Sequence, residues 1–192
     1  MARANPRTAI IAAISAGRDK KRLKVSAQRL ETERVILLPW EAVDWLNFKP
    51  LATDPLVMKY ISDGTPWPDS KIKGFVKRQR RHFAELGYCL WKLSVKDKPG
   101  IAGFCGLQPL DDLPGVEIGW WLAPANWGKG IATEAARKVL MDGFGRCGLN
   151  RIVAVAQEEN IASTRVMEKL GMRYEGVVSH RGREVVLYSI EK

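Results

Sequence analysis

Residues 126–135 read NWGKGIATEA. Gly128 and Gly130 flank Lys129, Trp127 stands just before, and the helix-favouring run Ile131, Ala132, Thr133, Glu134 follows at once. A helix start exposes up to four unpaired N–H groups and about half a positive charge. Glycine removes the side chains that would hold an anion away from them. Each such contact is worth about 0.3–1 kcal/mol, so several donors must converge on a diphosphate before they anchor a ligand. An ordinary glycine turn ahead of a helix is the competing reading of the same spacing.

Two familiar phosphate motifs can be tested against this stretch. A Walker A loop needs Gly-Lys followed directly by Ser or Thr, and here Gly130 follows Lys129. The dinucleotide fingerprint GxGxxG starts at Gly128 and Gly130 but meets Thr133 where its third glycine belongs. Neither fits. A second group with chemical potential is Glu117 in GVEIGWWL. Strand alternation sends Val116, Ile118, Trp120 and Leu122 to one face and Glu117, Gly119 and Trp121 to the other. A lone carboxylate in an apolar strand is costly to bury. Either that face is open or the carboxyl pKa is raised, which suits a general base. The opposing reading is a carboxylate that binds a cationic substrate or pairs with an arginine. His82, in a basic helical run, and His180, in a turn-like run, have no triad partner by sequence logic and read as surface residues. Cys89, Cys105 and Cys147 show no CxxC or Cys/His spacing. Neither a disulfide framework nor a metal site is expected, and a reducing, cytoplasmic setting fits.

The elements that must position these residues follow from periodicity. Residues 34–38 (RVILL) read as a strand, 41–52 as a short helix, and Asp54-Pro55 as the cap of another. DGTPWPD at 63–69 is loop chemistry. Residues 70–86 place Ile72, Phe75, Val76, Phe83 and Leu86 at helical spacing, with Lys77, Arg78, Arg80 and Arg81 on other faces. That basic side reads as a solvated face, with a docking patch for an acidic partner as the sharper alternative. Three strand-like runs, 88–95, 100–107 and 115–123, are separated by short turns and predict an antiparallel meander. A helix over 130–144, a buried strand over 151–156 and a helix over 160–170 follow, and strands 173–178 and 185–190 finish the chain. The sum is an α/β fold in a single domain, with one mixed sheet of about seven strands flanked by helices.

The chain has 192 residues, 46% of them hydrophobic and 27% charged, which suits one globular domain with a sizeable core. The net charge of +10 is uneven. Residues 1–28 hold seven basic side chains against Asp19 alone, which accounts for six of the ten charges. The high isoelectric point is therefore weak evidence for nucleic-acid binding, and none is expected. TAIIAAISAG imitates a signal peptide, but its apolar run is short and leads into RDKKRLK rather than a cleavage site. No run approaches the ~18 apolar residues of a membrane span. Residues 1–27 are expected to form a basic N-terminal arm or short amphipathic helix, and 28–192 the domain.

EIGWWLAPANWGKGIATEA followed by QEENIASTRVMEKLGMRYEG closely resembles the GNAT superfamily of acyl-CoA-dependent N-acetyltransferases. Within it, the match is to the branch of ribosomal-protein-alanine acetyltransferases. QRLETERVILLPW and DPLVMKYI resemble that branch's opening, so the likeness covers about residues 28–192. The resemblance implies that the anion is the pyrophosphate of acetyl-CoA, wrapped by backbone N–H groups of Trp127, Gly128, Lys129, Gly130, Ile131, Ala132 and Thr133. It implies that Asn160 and Ser163 contact the pantetheine arm and thiol end. It also implies that the strand at 115–123 splays from the strand at 151–157, so that pantetheine pairs with backbone near Trp121, Leu122 and Ala123. No metal is implied.

The chemistry that goes with the resemblance is amine acetylation. A lysine-like amine is neutral in one molecule per about 2,500 at pH 7, a cost of roughly 4.6 kcal/mol, whereas an α-amine pays only about 1.1–1.4 kcal/mol. Glu117 is the expected base, directly or through water. Many members place a tyrosine in the second helix of this region to protonate the departing thiolate. The matching position here is Met167, which cannot donate, and Ser163 is the fallback donor. Tyr188 matches a tyrosine common in the branch's last strand, either core or bordering the acceptor. Glu184 stands where the branch usually has aspartate. The expected reaction is direct attack, in a ternary complex, by a protein N-terminal α-amine. The alternatives are a small-molecule amine such as an aminoglycoside or polyamine, and a non-catalytic CoA-binding module. The acceptor groove is expected from the DGTPWPD loop, the first helices and the final hairpin. An oligomer is possible.

Overall fold

The computed structural model describes residues 28–192, so the expected basic arm at 1–27 lies outside the described residues. In chain order the elements are β1 (Leu30–Glu31), β2 (Val35–Leu38), α1 (Trp45–Ala52), α2 (Pro55–Met58), α3 (Asp69–Leu86), β3 (Leu90–Val95), β4 (Gly103–Pro109) and β5 (Val116–Leu122). After them come α4 (Ile131–Gly145), β6 (Arg151–Ala156), α5 (Ile161–Lys169), β7 (Arg173–His180) and β8 (Arg183–Glu191). All eight strands form one sheet in the order β1-β2-β3-β4-β5-β6-β8-β7. Among the described residues only β5 and β6 run parallel, and α4 is the crossover that a parallel pair requires.

The expected seven strands become eight because Leu30 and Glu31 pair with Leu37 and Ile36. A two-residue strand carries no period to detect. The helix expected over 41–52 is a 3-10 turn, Ala42–Asp44, leading into α1. Asp54 caps α2, its side chain accepting the Leu56 N–H at 2.9 Å.

Two layers cover the sheet. Phe104 of β4 pairs with Trp121 of β5, and both rings join Phe48 of α1 and Phe75 of α3 in one aromatic cluster. Trp67, from the loop before α3, lies 4.8 Å from Trp121 between centroids. Three residues along β4, Leu107 points to the opposite face. There α4 approaches closely enough that a Cβ on Gly143 would lie 2.9 Å from the Leu107 and Ile152 side chains. α4 buries Ile131, Ala135, Ala136, Val139 and Leu140 on that side. α3 buries Ile72, Phe75, Val76 and Gln79 and leaves Lys77, Arg78, Arg80 and Arg81 exposed. Gln79 is buried, its Oε1 accepting the Leu90 N–H at 2.9 Å while its Nε2 has no hydrogen-bond partner among the described residues. Glu117 and Trp121 thus share the α1–α3 face, whereas α4 packs on the other.

Candidate active site

The sheet opens where the chemistry-bearing residues lie. The β4–β5 ladder is continuous from Val116 to Leu122, but the β5–β6 ladder holds a single register pair, Glu117 with Val153. Beyond Glu117 the two strands part. The Ala123 N–H donates to Ala102 C=O (2.8 Å). By alternation the N–H and C=O groups of Trp121 also face β4, whereas those of Trp120 and Leu122 face the gap. The Ala123 carbonyl accepts the Asn126 N–H at 2.8 Å. Of the expected backbone set of Trp121, Leu122 and Ala123, Leu122 faces the gap. Ala123 is committed on both sides and Trp121 points away, so Trp120 and Leu122 remain. The Leu122 carbonyl accepts the indole N–H of Trp127 at 2.7 Å, which pins the start of the glycine loop to the end of β5.

The loop then delivers a bare helix mouth. Gly128 and Gly130 have φ of +71° and +75°, a left-handed backbone that suits glycine. Among the described residues, a Cβ on Gly128 would meet nothing within 4 Å, and one on Gly130 only the Arg34 guanidinium at 3.6 Å. The first intrahelical bond runs from Glu134 N–H to Gly130 C=O at 3.0 Å. The N–H groups of Ile131, Ala132 and Thr133 therefore have no partner within α4. Lys129 folds its ammonium back onto the Ala125 carbonyl at 2.7 Å, leaving its backbone as what it offers here. A clamp holds the mouth in place. Glu134 accepts from Thr32 Oγ1 (2.6 Å), Arg34 N–H (2.9 Å) and Arg34 Nε (2.6 Å), and Arg34 Nη1 donates to Lys129 C=O (3.0 Å). An open groove continues from Gly130 and Thr133 past Arg137, Lys138 and Lys169. Trp127 is 47% exposed beside the mouth.

At the other end of the gap lies a cavity of about 460 Å³. Its walls come from residues 60–67, α3, β5, the start of α5 and the β7–β8 turn. Glu117 and Ser163 both line it. Burial raises the Glu117 pKa above the ordinary carboxylate range, opposed by the hydrogen bond from Gln108 Nε2 at 2.9 Å and by the charges of His180 and Arg181. Asn160 also lines the cavity and caps α5, its Oδ1 accepting the Ser163 N–H at 3.2 Å. The Ser163 hydroxyl has no hydrogen-bond partner among the described residues. Gln157 Nε2 reaches across to the Tyr60 carbonyl at 3.1 Å and ties the end of β6 to the opposite wall.

The two histidines depart from their expected surface setting. His180 is 11% exposed at its side chain and lines the same cavity as Glu117. Its Nδ1 lies 2.6 Å from Asp112 Oδ1, and Asp112 Oδ2 accepts the Arg181 N–H at 2.6 Å. The β4–β5 loop thereby grips the β7–β8 turn across 68 residues of sequence. His82 is half-buried, and burial together with Arg78 lowers its pKa. Met167 is 1% exposed in the core and does not line the cavity, so the second helix supplies no acid from that position. Tyr188 packs edge-on against Tyr174 at 5.4 Å and Glu184 is exposed; neither lines the cavity. Sequence reasoning missed Gln108, Asp112, His180 and the cavity arginines, whose partners lie on other elements. Among the described residues there is no cluster of three His, Cys, Asp or Glu placed to hold a metal, and no helix is long and apolar enough to cross a membrane.

Comparison with known proteins places this arrangement. The acetyltransferase (GNAT) domain family matches residues 34–173. The uncharacterized N-acetyltransferase YnaD of Bacillus subtilis is 35% identical over 147 residues, covering 77% of this chain and 84% of its own. A GNAT-family acetyltransferase from Bacillus anthracis superposes with a TM-score of 0.72 at 30% identity, over 85% of this chain and 98% of its own. RimL, a ribosomal L7/L12 α-N-protein acetyltransferase solved in complex with coenzyme A, shares the fold at a TM-score of 0.72 and 15% identity, over 85% of this chain and 98% of its own. With a family match across most of its length and a relative at 35% identity, this chain belongs to the GNAT family of N-acetyltransferases.

Proposed function

We propose that this enzyme transfers an acetyl group from acetyl-CoA to the α-amine of a protein N-terminus, by direct attack within a ternary complex. One observation carries the reading: β5 and β6 part beyond Glu117, a cavity lined by Glu117 and Trp121 lies along the part of β5 that borders the gap, and a bare helix mouth follows the end of β5. The mouth fits a diphosphate, because a Cβ on Gly128 would touch nothing and the first-turn N–H groups of α4 have no intrahelical partner. The N–H groups of residues 128–133 would hold that diphosphate, with Arg137, Lys138 and Lys169 placed for a further phosphate. The gap-facing amides of Trp120 and Leu122 would pair with the pantetheine arm. Acetyl-CoA, when bound, supplies an activated acetyl group at the cavity end.

The chain's own residues handle the proton. The α-amine enters mostly as an ammonium, and its neutral form costs about 1.1–1.4 kcal/mol at pH 7. Glu117, with its pKa raised by burial, is suited to accept that proton. His180, its Nδ1 fixed by Asp112, leaves Nε2 free of that bond as a second proton carrier from the same cavity. The free Ser163 hydroxyl at the start of α5 serves as donor to the departing sulfur. Because thiolate with a cysteine-like pKa near 8.5 is a tolerable leaving group, the chemistry does not need a tyrosine at position 167.

The acceptor class rests on the low cost of freeing an α-amine, with RimL as a fold relative of that specificity. Thiol release from acetyl-CoA, measured with N-terminal peptides and with small amines, tests the reading. Turnover on peptides supports it. Turnover only on small amines selects the small-molecule alternative, and tight CoA binding without any turnover selects a binding module.

A further inference from the structure

The cavity that holds Glu117 is rimmed by arginines from two parts of the chain. Arg78 comes from α3, and Arg181 and Arg183 come from the β7–β8 turn and the start of β8. Asp63 and Glu117 are the only carboxylates among the described lining residues. Arg181 is matched by Asp111 at 2.7 Å and has its N–H held by Asp112. Arg78 and Arg183 have no ion-pair partner among the described residues, although both stand at the cavity. Partial burial and the neighbouring Arg181 lower the Arg78 pKa. The Asp111 carboxylate offsets part of the Arg181 charge felt by Arg78, and an anion bound in the cavity would offset more of it.

We propose that the acceptor carries a carboxylate close to its reacting amine, and that Arg78 and Arg183 bind that carboxylate at the cavity mouth. The proposal rests on the acetyl-transfer reading above and names the substrate class of that same site. Two arguments support it. A guanidinium matches a carboxylate in shape and charge. A positive surround also disfavours an ammonium and so helps the amine reach its neutral, attacking form. The same surround repels polyamines and aminoglycosides, which bring several positive charges at once. The acceptor is therefore an acidic N-terminal segment or a free acidic amino acid, two sources of one chemistry.

The test uses the full chain and acetyl-CoA. The probes are a tetrapeptide with aspartate at its second position, its asparagine and lysine counterparts, free aspartate and spermidine. The aspartate peptide is expected to exceed the asparagine peptide in kcat/KM by about tenfold or more, as a charge-assisted contact gives. The lysine peptide and spermidine fall below both. Arg78→Met with Arg183→Met brings the aspartate and asparagine peptides within about twofold, with CoA affinity by calorimetry unchanged. Preference for free aspartate over the peptide assigns the small-molecule source. Equal or better use of the lysine peptide or spermidine overturns the proposal, as does a preference that survives both substitutions. Should no acceptor turn over while CoA binds, the acetyl-transfer reading fails. Calorimetry of the three peptides on the CoA-loaded protein then decides the anion site alone: tighter aspartate-peptide binding, lost in the double variant, upholds it, and equal affinities sink it.

Discussion

Replacing Glu117 by glutamine separates its chemistry from its cost to folding. Glutamine has nearly the same volume and keeps an oxygen for Gln108 Nε2, which now donates to Glu117 at 2.9 Å. It removes the proton-accepting carboxylate, so turnover should fall by about 10²–10⁴, the usual worth of a general base. Stability should move the other way. Burial raises the folded-state pKa of Glu117 above its unfolded value. The folded chain then binds more protons between the two values, and the sign of linkage follows. The contribution of this group is fully present below the unfolded pKa and is lost as pH rises through the folded one. Above that window the carboxylate is a burden that glutamine relieves. Each kcal/mol relieved raises Tm by about 2–4 °C in a chain of this size. The assays are thiol release from acetyl-CoA across pH and calorimetric melting at pH 4 and pH 8. The wild type should gain activity through the raised carboxyl pKa, and the variant should lose that limb. Glu117→Gln should melt higher than wild type at pH 8 and about equal at pH 4. Unchanged turnover with an unchanged pH profile would leave Glu117 a structural role, and a lower Tm at pH 8 would refute the cost assigned to its burial.

Asp112→Asn removes the charge that orients His180, so kcat should drop on the order of tenfold with CoA affinity retained; an unchanged kcat would make the contact a hairpin tether. Met167→Tyr adds volume and a hydroxyl to a site that is 1% exposed, so it should cost about 1–3 kcal/mol in denaturant melts and raise kcat not at all; a gain in kcat would mean that the helix reaches the sulfur after all. Glu134→Ala breaks the clamp from Thr32 and Arg34 and should weaken CoA binding severalfold while lowering stability by about 1–3 kcal/mol; wild-type affinity would show the mouth to be self-supporting.

Local signals made the strands, the long helices and the glycine mouth legible, because period and punctuation are written within a few residues. The opening between β5 and β6 was available only through resemblance, since divergence of two strands leaves no trace in the composition of either. Three further features had no local signal. The backbone groups that face the gap depend on which β5 amides pair with β4, and a ladder phase is not encoded in side-chain alternation. The setting of His180 depends on Asp112, 68 residues earlier. The clamp on the mouth joins Arg34 to Glu134 across 100 residues. The same holds for Arg78. On its helix it looks like one of four solvated cations, and only the tertiary fold sets it at the cavity while Lys77, Arg80 and Arg81 stay outside. β1 escaped detection for a different reason, being two residues long.

Isothermal titration of coenzyme A into the wild-type chain and into Gly130→Trp tests the central claim most directly. Gly130 has φ of +75° and opens onto free space except for the Arg34 guanidinium, so an indole there would fill the mouth of α4 and strain its first turn. The wild type should bind, and the variant should keep its far-ultraviolet circular dichroism but show no heat of binding. A folded variant that binds as tightly as wild type, or a wild type with no affinity for coenzyme A, would contradict the account.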